Sequence, residues 1–237
     1  MSELRALITD IEGTTTPVTF VHQVLFPYAA KHLPDYVHTR ASDPAVAAAL
    51  KETAALDARA GVSVDAAINV LLEWIATDRK ATPLKALQGL VWRKAYESGE
   101  VKSPIYDDVV PLLERAKQAG LSLHVFSSGS IEAQHLLFGH SDKGDLRPLF
   151  TGWFDTTTGP KLEAESYRLI AAQIGCAPAQ AAFLSDHPGE IAAAHQAGMT
   201  VCRIDREKPA DFSATDPAGT PVAGSFSVAA RLIGLPA

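Results

Sequence analysis

Ala6-Leu7-Ile8-Thr9-Asp10-Ile11-Glu12-Gly13-Thr14-Thr15-Thr16 begins as a short apolar run and turns polar without a break. An apolar run of this length bounded by polar residues reads as a buried strand with functional groups at its carboxyl end. Asp10 and Glu12 flank one residue, so extended backbone would turn both carboxylates to one face. Such a pair can bind a cation or divide the work of nucleophile and general acid. Taken alone, it is equally a polar turn after a strand.

Downstream, Leu121–Phe126, Ala181–Leu184 and Thr200–Ile204 are further apolar strands. They alternate with helices over Val109–Ala119, Leu162–Ile174 and a segment ending at Ala197, stopped by Gly120, Gly175 and Gly198. This alternation predicts an α/β core, a Rossmann-like parallel sheet with helices on both faces. Ligands bind such sheets at the carboxyl ends of the strands, where the polar clusters fall. These are Ser127-Ser128-Gly129-Ser130 and Ser185-Asp186-His187-Pro188-Gly189-Glu190, with Lys161 just before a helix.

Between the first strand and this alternating region the texture is helical. Phe20–Leu33 is interrupted by Pro27, an alanine-rich stretch opens at Ser42-Asp43-Pro44, Ser63 precedes Val64–Arg79, and Thr82-Pro83 starts a helix running to Gly99. The expected organisation is a core of residues 1–18 and 100–237 with an all-helical insert over 19–99. The Pro- and Gly-rich segment Lys208–Gly224 reads as a surface loop.

Each polar cluster has an ordinary explanation when isolated: a capped loop for Ser127–Ser130, a solvated charge for Lys161, a helix N-cap for Asp186. Their order is more specific. Strand-end Asp-x-Glu, strand-end Ser, Lys before a helix and strand-end Asp resembles the four motifs of the haloacid dehalogenase-like hydrolase superfamily. The first motif is normally Asp-x-Asp-x-Thr/Val; here Glu12 replaces the second Asp and Thr14 keeps the fifth position. Asp-Ile-Glu-Gly-Thr-Thr-Thr-Pro at 10–17, Phe26-Pro27-Tyr28, Ser127–Ser130 with Glu132-Ala133-Gln134, Leu137-Phe138-Gly139-His140, Phe154-Asp155-Thr156, and Lys161 with Glu165-Ser166-Tyr167-Arg168 are similar to the enolase-phosphatase (acireductone synthase) family of methionine salvage.

The resemblance implies a helical cap on the core, catalysis by Asp10, Glu12 and Lys161, and substrate binding by Ser127, Ser128 and Lys161. It also implies one Mg2+ per subunit, held by Asp10, a group at Glu12 and Asp186, and a monomer. Asp10 would form an aspartyl-phosphate, and Glu12 would protonate the leaving oxygen and then activate water. Glu190 would orient a metal-bound water. The implied reaction enolises 2,3-diketo-5-methylthiopentyl-1-phosphate and then removes its phosphate, giving the acireductone 1,2-dihydroxy-3-keto-5-methylthiopentene. The base is Glu12 first and Lys161 second. A plain phosphatase of the same superfamily acting on another small ester remains open, as does a phospho-accepting module that does not turn over.

Composition agrees with a small-molecule enzyme. The chain has 237 residues, 47% of them hydrophobic, and a net charge of −6. That balance disfavours nucleic acid or an anionic membrane as partner, while a phosphate ester needs only local positive charge. Cys176 and Cys202 form no framework or zinc motif and read as buried small side chains. No window approaches the ~18 apolar residues of a membrane span and no signal peptide is read, so a cytoplasmic location is expected. Trp74 and Trp92 read as packing residues. Phe20, His22, Phe26 and Tyr28 are weaker candidates for closing over the substrate, and His187 for reaching the site.

Overall fold

The computed structural model describes residues 3–236; Met1, Ser2 and Ala237, within the expected core span, lie outside them. The chain divides into two compact units, one of residues 1–18 with 103–237 and one of residues 19–102.

The second unit is all helical. The short turn α1 (Val18–Phe20) and a π-helical turn Val21–Leu25 run directly into α2 (Phe26–Arg40), followed by α3 (Pro44–Leu56), α4 (Val64–Ala76) and α5 (Thr82–Glu97). Pro27 does not interrupt the first helix as expected. The helical path continues through it: Pro27 falls in the first turn of α2, directly after the π-helical turn Val21–Leu25. Pro34 is inside α2, and the helix passes through it to Arg40. Leu33 and Val37 on either side are fully buried, and that packing outweighs the lost hydrogen bond. Asp43 and Ser63 cap α3 and α4 by accepting from Ala45 N and Ala66 N. α4 stops at Ala76 rather than Arg79, because Asp78 is left-handed at φ 51°. The core of the unit gathers Leu33, Val37, Leu71, Trp74, Leu84 and Val91.

Trp74 is buried, and Trp92 stacks on Phe26 while its indole N–H donates to Leu25 O at 2.9 Å, so both tryptophans pack as expected. Phe20 is buried, and Tyr28 donates to Glu100 Oε2 at 2.6 Å. These contacts lie inside the helical unit. No helix among the described residues is long and apolar enough to cross a membrane.

The first unit is a seven-stranded sheet of order β3-β2-β1-β4-β5-β7-β6. Its strands are β1 (Ala6–Thr9), β2 (Ser122–Phe126), β3 (Gly152–Phe154), β4 (Ala181–Ser185), β5 (Thr200–Ile204), β6 (Ser213–Thr215) and β7 (Pro221–Ala223). All neighbours pair in parallel except β6, which runs antiparallel to β7 on the edge. The helices are α6 (Val109–Gln118), α7 (Ile131–Gly139), α8 (Ala164–Ile174), α9 (Pro188–Ala197) and α10 (Phe226–Ile233). Alternate strand residues feed two cores. Leu7, Val125, Leu184 and Cys202 pack with α6, α7 and α10, whereas Ile8, Phe183 and Val201 pack with α8 and α9. A sheet covered on both faces needs apolar residues at nearly every position, which is why these strands read as unbroken runs.

The segment Lys208–Gly224 is not wholly a loop, since it contains β6 and β7. Only three residues of each strand pair, too few for a periodic signal. Cys202 is buried and Cys176 only half-buried, a partial correction to the expectation for both.

Candidate active site

Register brings the separate motifs to one edge of the sheet. Thr9 is level with Val125 of β2 and with Leu184 of β4. Asp10 is held in line by its N–H donating to Leu184 O at 2.9 Å. Ser127 and Asp186 therefore emerge from the carboxyl ends of the strands on either side of β1. The chain reverses its order of strand addition between β1 and β4, the place where open α/β sheets bind ligands.

Beyond Asp10 the loop is wound tightly on itself. The N–H groups of Thr14, Thr15 and Thr16 all donate to Ile11 O, and Gly13 N donates to Thr16 O at 2.7 Å. Gly13 sits at φ +70°, and a Cβ there would fall 2.1 Å from Asp186 Oδ2. Glycine is therefore required twice over, by backbone angle and by contact. Thr14, fully buried, joins the two acids: its hydroxyl donates to Asp10 Oδ2 at 3.4 Å and accepts from Asp186 N at 2.9 Å. Glu12 is half-buried on this loop.

Lys161 is buried, and its ammonium lies 2.6 Å from Asp10 Oδ1 and 2.7 Å from Glu190 Oε2. Tyr167 fixes the backbone at this point by donating to Lys161 O at 2.8 Å, with its ring edge-on to Phe126 and Phe183. α8 starts at Ala164 rather than at Leu162, because Glu163 before it is extended. Burial works against the charge on Lys161, but Asp10 and Glu190 more than offset it and hold the amine above the ordinary lysine range.

Glu190 also accepts from Ser185 Oγ at 2.9 Å. Burial and the charge of Asp10 push its carboxyl up, while Lys161 pulls the other way. The sequence suggested an outer-shell metal role for Glu190; in the structure it pairs with Lys161 and Ser185. His187, not Asp186, is the N-cap of α9, its Nδ1 accepting from Gly189 N and Glu190 N. The capping explanation for Asp186 thus fails; its N–H donates to Thr14 Oγ1 at 2.9 Å. Burial, then the nearby charge of Asp10, raises the Asp186 carboxyl to about 6.

Ser127 is buried, with its Oγ accepting from Gly129 N at 3.1 Å, which leaves its own proton to donate outward. Ser128 is exposed. Ser130 caps α7 by accepting from Ala133 N at 3.2 Å. Asp155 joins this loop to the one leading to Lys161. It accepts from Ile131 N at 3.3 Å and from Thr157 N at 2.9 Å. The exposed His187 is occupied by capping.

Three buried or half-buried carboxylates, Asp10, Asp186 and Glu190, face a single lysine. Burial first, and the charge of Asp10 second, make a charged Asp186 costly, a cost that a nearby cation would offset. Among the described residues no three His, Cys, Asp or Glu side chains converge as a ready metal cluster. Two carboxylates, Asp10 and Asp186, still fit magnesium, which binds through one or two carboxylates and fills its shell with other oxygens.

A family profile for haloacid dehalogenase-like hydrolases matches residues 4–198. The chain belongs to the haloacid dehalogenase-like hydrolase family. Within that family it is 54% identical over 204 residues to a relative from Pseudomonas aeruginosa named an enolase-phosphatase, covering 86% of this chain and 91% of the relative. A relative of the same name from Azotobacter vinelandii is 52% identical, covering 86% and 90%. The crystal structure of the UTR4 protein of Saccharomyces cerevisiae superposes with a TM-score of 0.76 at 32% identity, covering 94% of this chain and 99% of that one. The haloacid dehalogenase-like fold expected from the motif order is therefore the fold of this hydrolase.

Proposed function

We propose that the protein is the bifunctional enolase-phosphatase (acireductone synthase) of methionine salvage, a cytoplasmic monomer that takes 2,3-diketo-5-methylthiopentyl-1-phosphate and one Mg2+. The helical insert is read as its cap. The observation that carries this reading is Glu12 on the tight loop that begins at Asp10, the buried partner of Lys161, in a chain 54% identical to a relative of that name.

Enolisation comes first. A base takes a carbon proton next to a substrate carbonyl, and the electron pair moves to the carbonyl oxygen. Lys161 is held as an ammonium between two carboxylates and has no lone pair to offer. Glu12 is therefore the base in this reading. Asp10 then attacks phosphorus; the bond to the ester oxygen breaks as the aspartyl-phosphate forms, and Glu12 returns the proton to the leaving oxygen. Glu12 next takes a proton from water, which attacks the phosphoryl group and frees Asp10 and inorganic phosphate. That proton passes to the enolate oxygen, which gives the enol and restores the Glu12 carboxylate. Lys161 stabilises charge on Asp10 and on the transferring group, and Ser127 and Ser128 hold phosphate oxygens. Asp10, Asp186 and a group at Glu12 are the residues that would hold magnesium. When bound, it would supply positive charge at phosphoryl and carbonyl oxygens, easing both steps.

The test is incubation with magnesium and the diketo phosphate, following ultraviolet absorbance and free phosphate together. An enediol chromophore with phosphate release is the expected outcome. Phosphate from generic esters without an enol product would leave only the plain phosphatase. An inactive wild type, no different from Asp10→Asn, would remove both enzyme readings.

A further inference from the structure

Arg206 follows β5, outside all four motifs, yet it holds the loop of the first one. Its side chain is nearly buried, at 12% exposure. Nε and one terminal nitrogen donate to Thr14 O at 3.1 and 2.7 Å. The other terminal nitrogen meets both oxygens of Asp108, at 3.0 and 2.8 Å. Asp108 is itself fixed by accepting from Phe226 N, at the start of α10, at 2.6 Å. The guanidinium lies over the rings of Tyr106 (4.1 Å) and Phe226 (5.3 Å), and Tyr106 N donates to Thr15 O at 3.1 Å. A planar fork using both its edges at once is something a lysine cannot reproduce.

Thr14 is the residue whose hydroxyl touches Asp10 and accepts from Asp186 N. Acceptance from Asp186 N leaves the single hydroxyl proton to point at Asp10. At 3.4 Å that bond is long, so a shift of a few tenths of an ångström in Thr14 would make or lose it. The Thr14 N–H is spent on Ile11 O, and Arg206 pins the carbonyl at the other end of the residue. We propose that Arg206, clamped by Asp108, is a positioning residue for phosphoryl transfer, setting the orientation of Asp10 through Thr14. This rests on the reading of Asp10 as the phosphate-accepting nucleophile.

The experiment is a double-mutant cycle on the full chain with magnesium and a generic phosphate ester, with wild type and Asp10→Asn run alongside. Arg206→Met is expected to lower kcat by about 10- to 100-fold, the scale of a small misplacement of a reacting group, with KM nearly unchanged. Arg206→Lys should recover part of the loss. In a Thr14→Val background, where no hydroxyl reaches Asp10, removing Arg206 should cost little more. Full additivity of the two changes, or a loss confined to KM, would overturn the proposal. If Arg206→Met does not fold by circular dichroism, Arg206→Lys and Asp108→Asn carry the same test, with the same kcat-only loss expected. Should wild type be active and dependent on Asp10 while the Arg206 and Asp108 variants keep full kcat, the positioning role alone falls. Should wild type release no phosphate, or Asp10→Asn match it, the nucleophile reading falls and takes this proposal with it.

Discussion

Lys161 places its ammonium 2.6 Å from Asp10 Oδ1, and both side chains are buried. The same nitrogen meets Glu190 at 2.7 Å, so one cation separates two carboxylates that would otherwise repel. Replacing Lys161 with Met should therefore do two things. It removes charge stabilisation from the transferring phosphoryl group, costing about 100- to 1,000-fold in kcat. It also leaves two buried carboxylates facing each other, costing roughly 3 kcal/mol of stability. Adding Glu190→Gln should restore most of the stability and none of the rate. Phosphate release and urea unfolding on the single and double variants check both halves. A Lys161→Met protein that hydrolyses esters normally would remove Lys161 from the mechanism.

Much of this site could be read from the chain before any coordinates. Asp10, Ser127, Lys161 and Asp186 stand at the ends of apolar runs or before a helix, and parallel register brings such ends together. The Lys161–Glu190 pair could not be read, because nothing local links a turn before α8 to the first turn of α9. The cap at His187 was equally hidden: Asp186 is the better capping residue by preference, and only the geometry shows the histidine doing it. Arg206 was missed because it lies past the last motif, beside a segment whose Pro and Gly content suggested a loop. β3, β6 and β7, with three residues each, left no periodic trace because so short a strand carries no repeat. The long apolar runs of β1, β2, β4 and β5 were legible since burial on both faces demands them.

Glu12 stands where the wider superfamily carries Asp, on a loop closed by Gly13 N donating to Thr16 O at 2.7 Å. That closure leaves the backbone no freedom to compensate for a shorter side chain. Glu12→Asp withdraws the carboxylate by about one bond length, which catalysis feels. Proton delivery to a leaving oxygen should survive, as in ordinary members of the superfamily, with a loss of about 10-fold or less on a generic ester. Enol formation from the diketo phosphate should fall by about 100-fold or more, since the carbon proton is then out of reach. Parallel assays of phosphate and ultraviolet absorbance separate the two rates. Equal losses in both would mean that Glu12 is not the enolisation base.

Asp186 carries a carboxyl raised to about 6 by burial and by Asp10. Charge there is a burden on the fold until a cation offsets it. Asp186→Asn should accordingly melt at or above wild type in the presence of a chelator. Millimolar Mg2+ should stabilise wild type by about 2.7 kcal/mol, the amount expected near a hundredfold excess over Kd, and the variant by much less. Thermal unfolding of both proteins with and without magnesium decides this without any turnover. If magnesium raises the two melting points equally, the cation is not held by Asp186.

A pH effect on stability should come from His124, away from the site. This histidine is buried in β2, opposite Gly152 of β3, where a Cβ would lie 2.6 Å from its Nδ1. Nε2 meets Ser122 Oγ at 2.9 Å, but Nδ1 has no partner. Burial lowers its pKa to about 4. The folded chain thus holds a neutral imidazole, while the unfolded chain takes up a proton near the ordinary value of about 6.5. Unfolding gains protons between those two values, so this contribution is complete above about 6.5 and is lost as the pH falls towards 4. Each unit within that window removes about 1.4 kcal/mol. Going from pH 7.5 to pH 5 should therefore cost wild type roughly 2 kcal/mol more than a His124→Asn variant, whose side chain does not titrate. Urea unfolding at the two pH values measures the difference. Identical losses in the two proteins would show that His124 takes up its proton without leaving the fold.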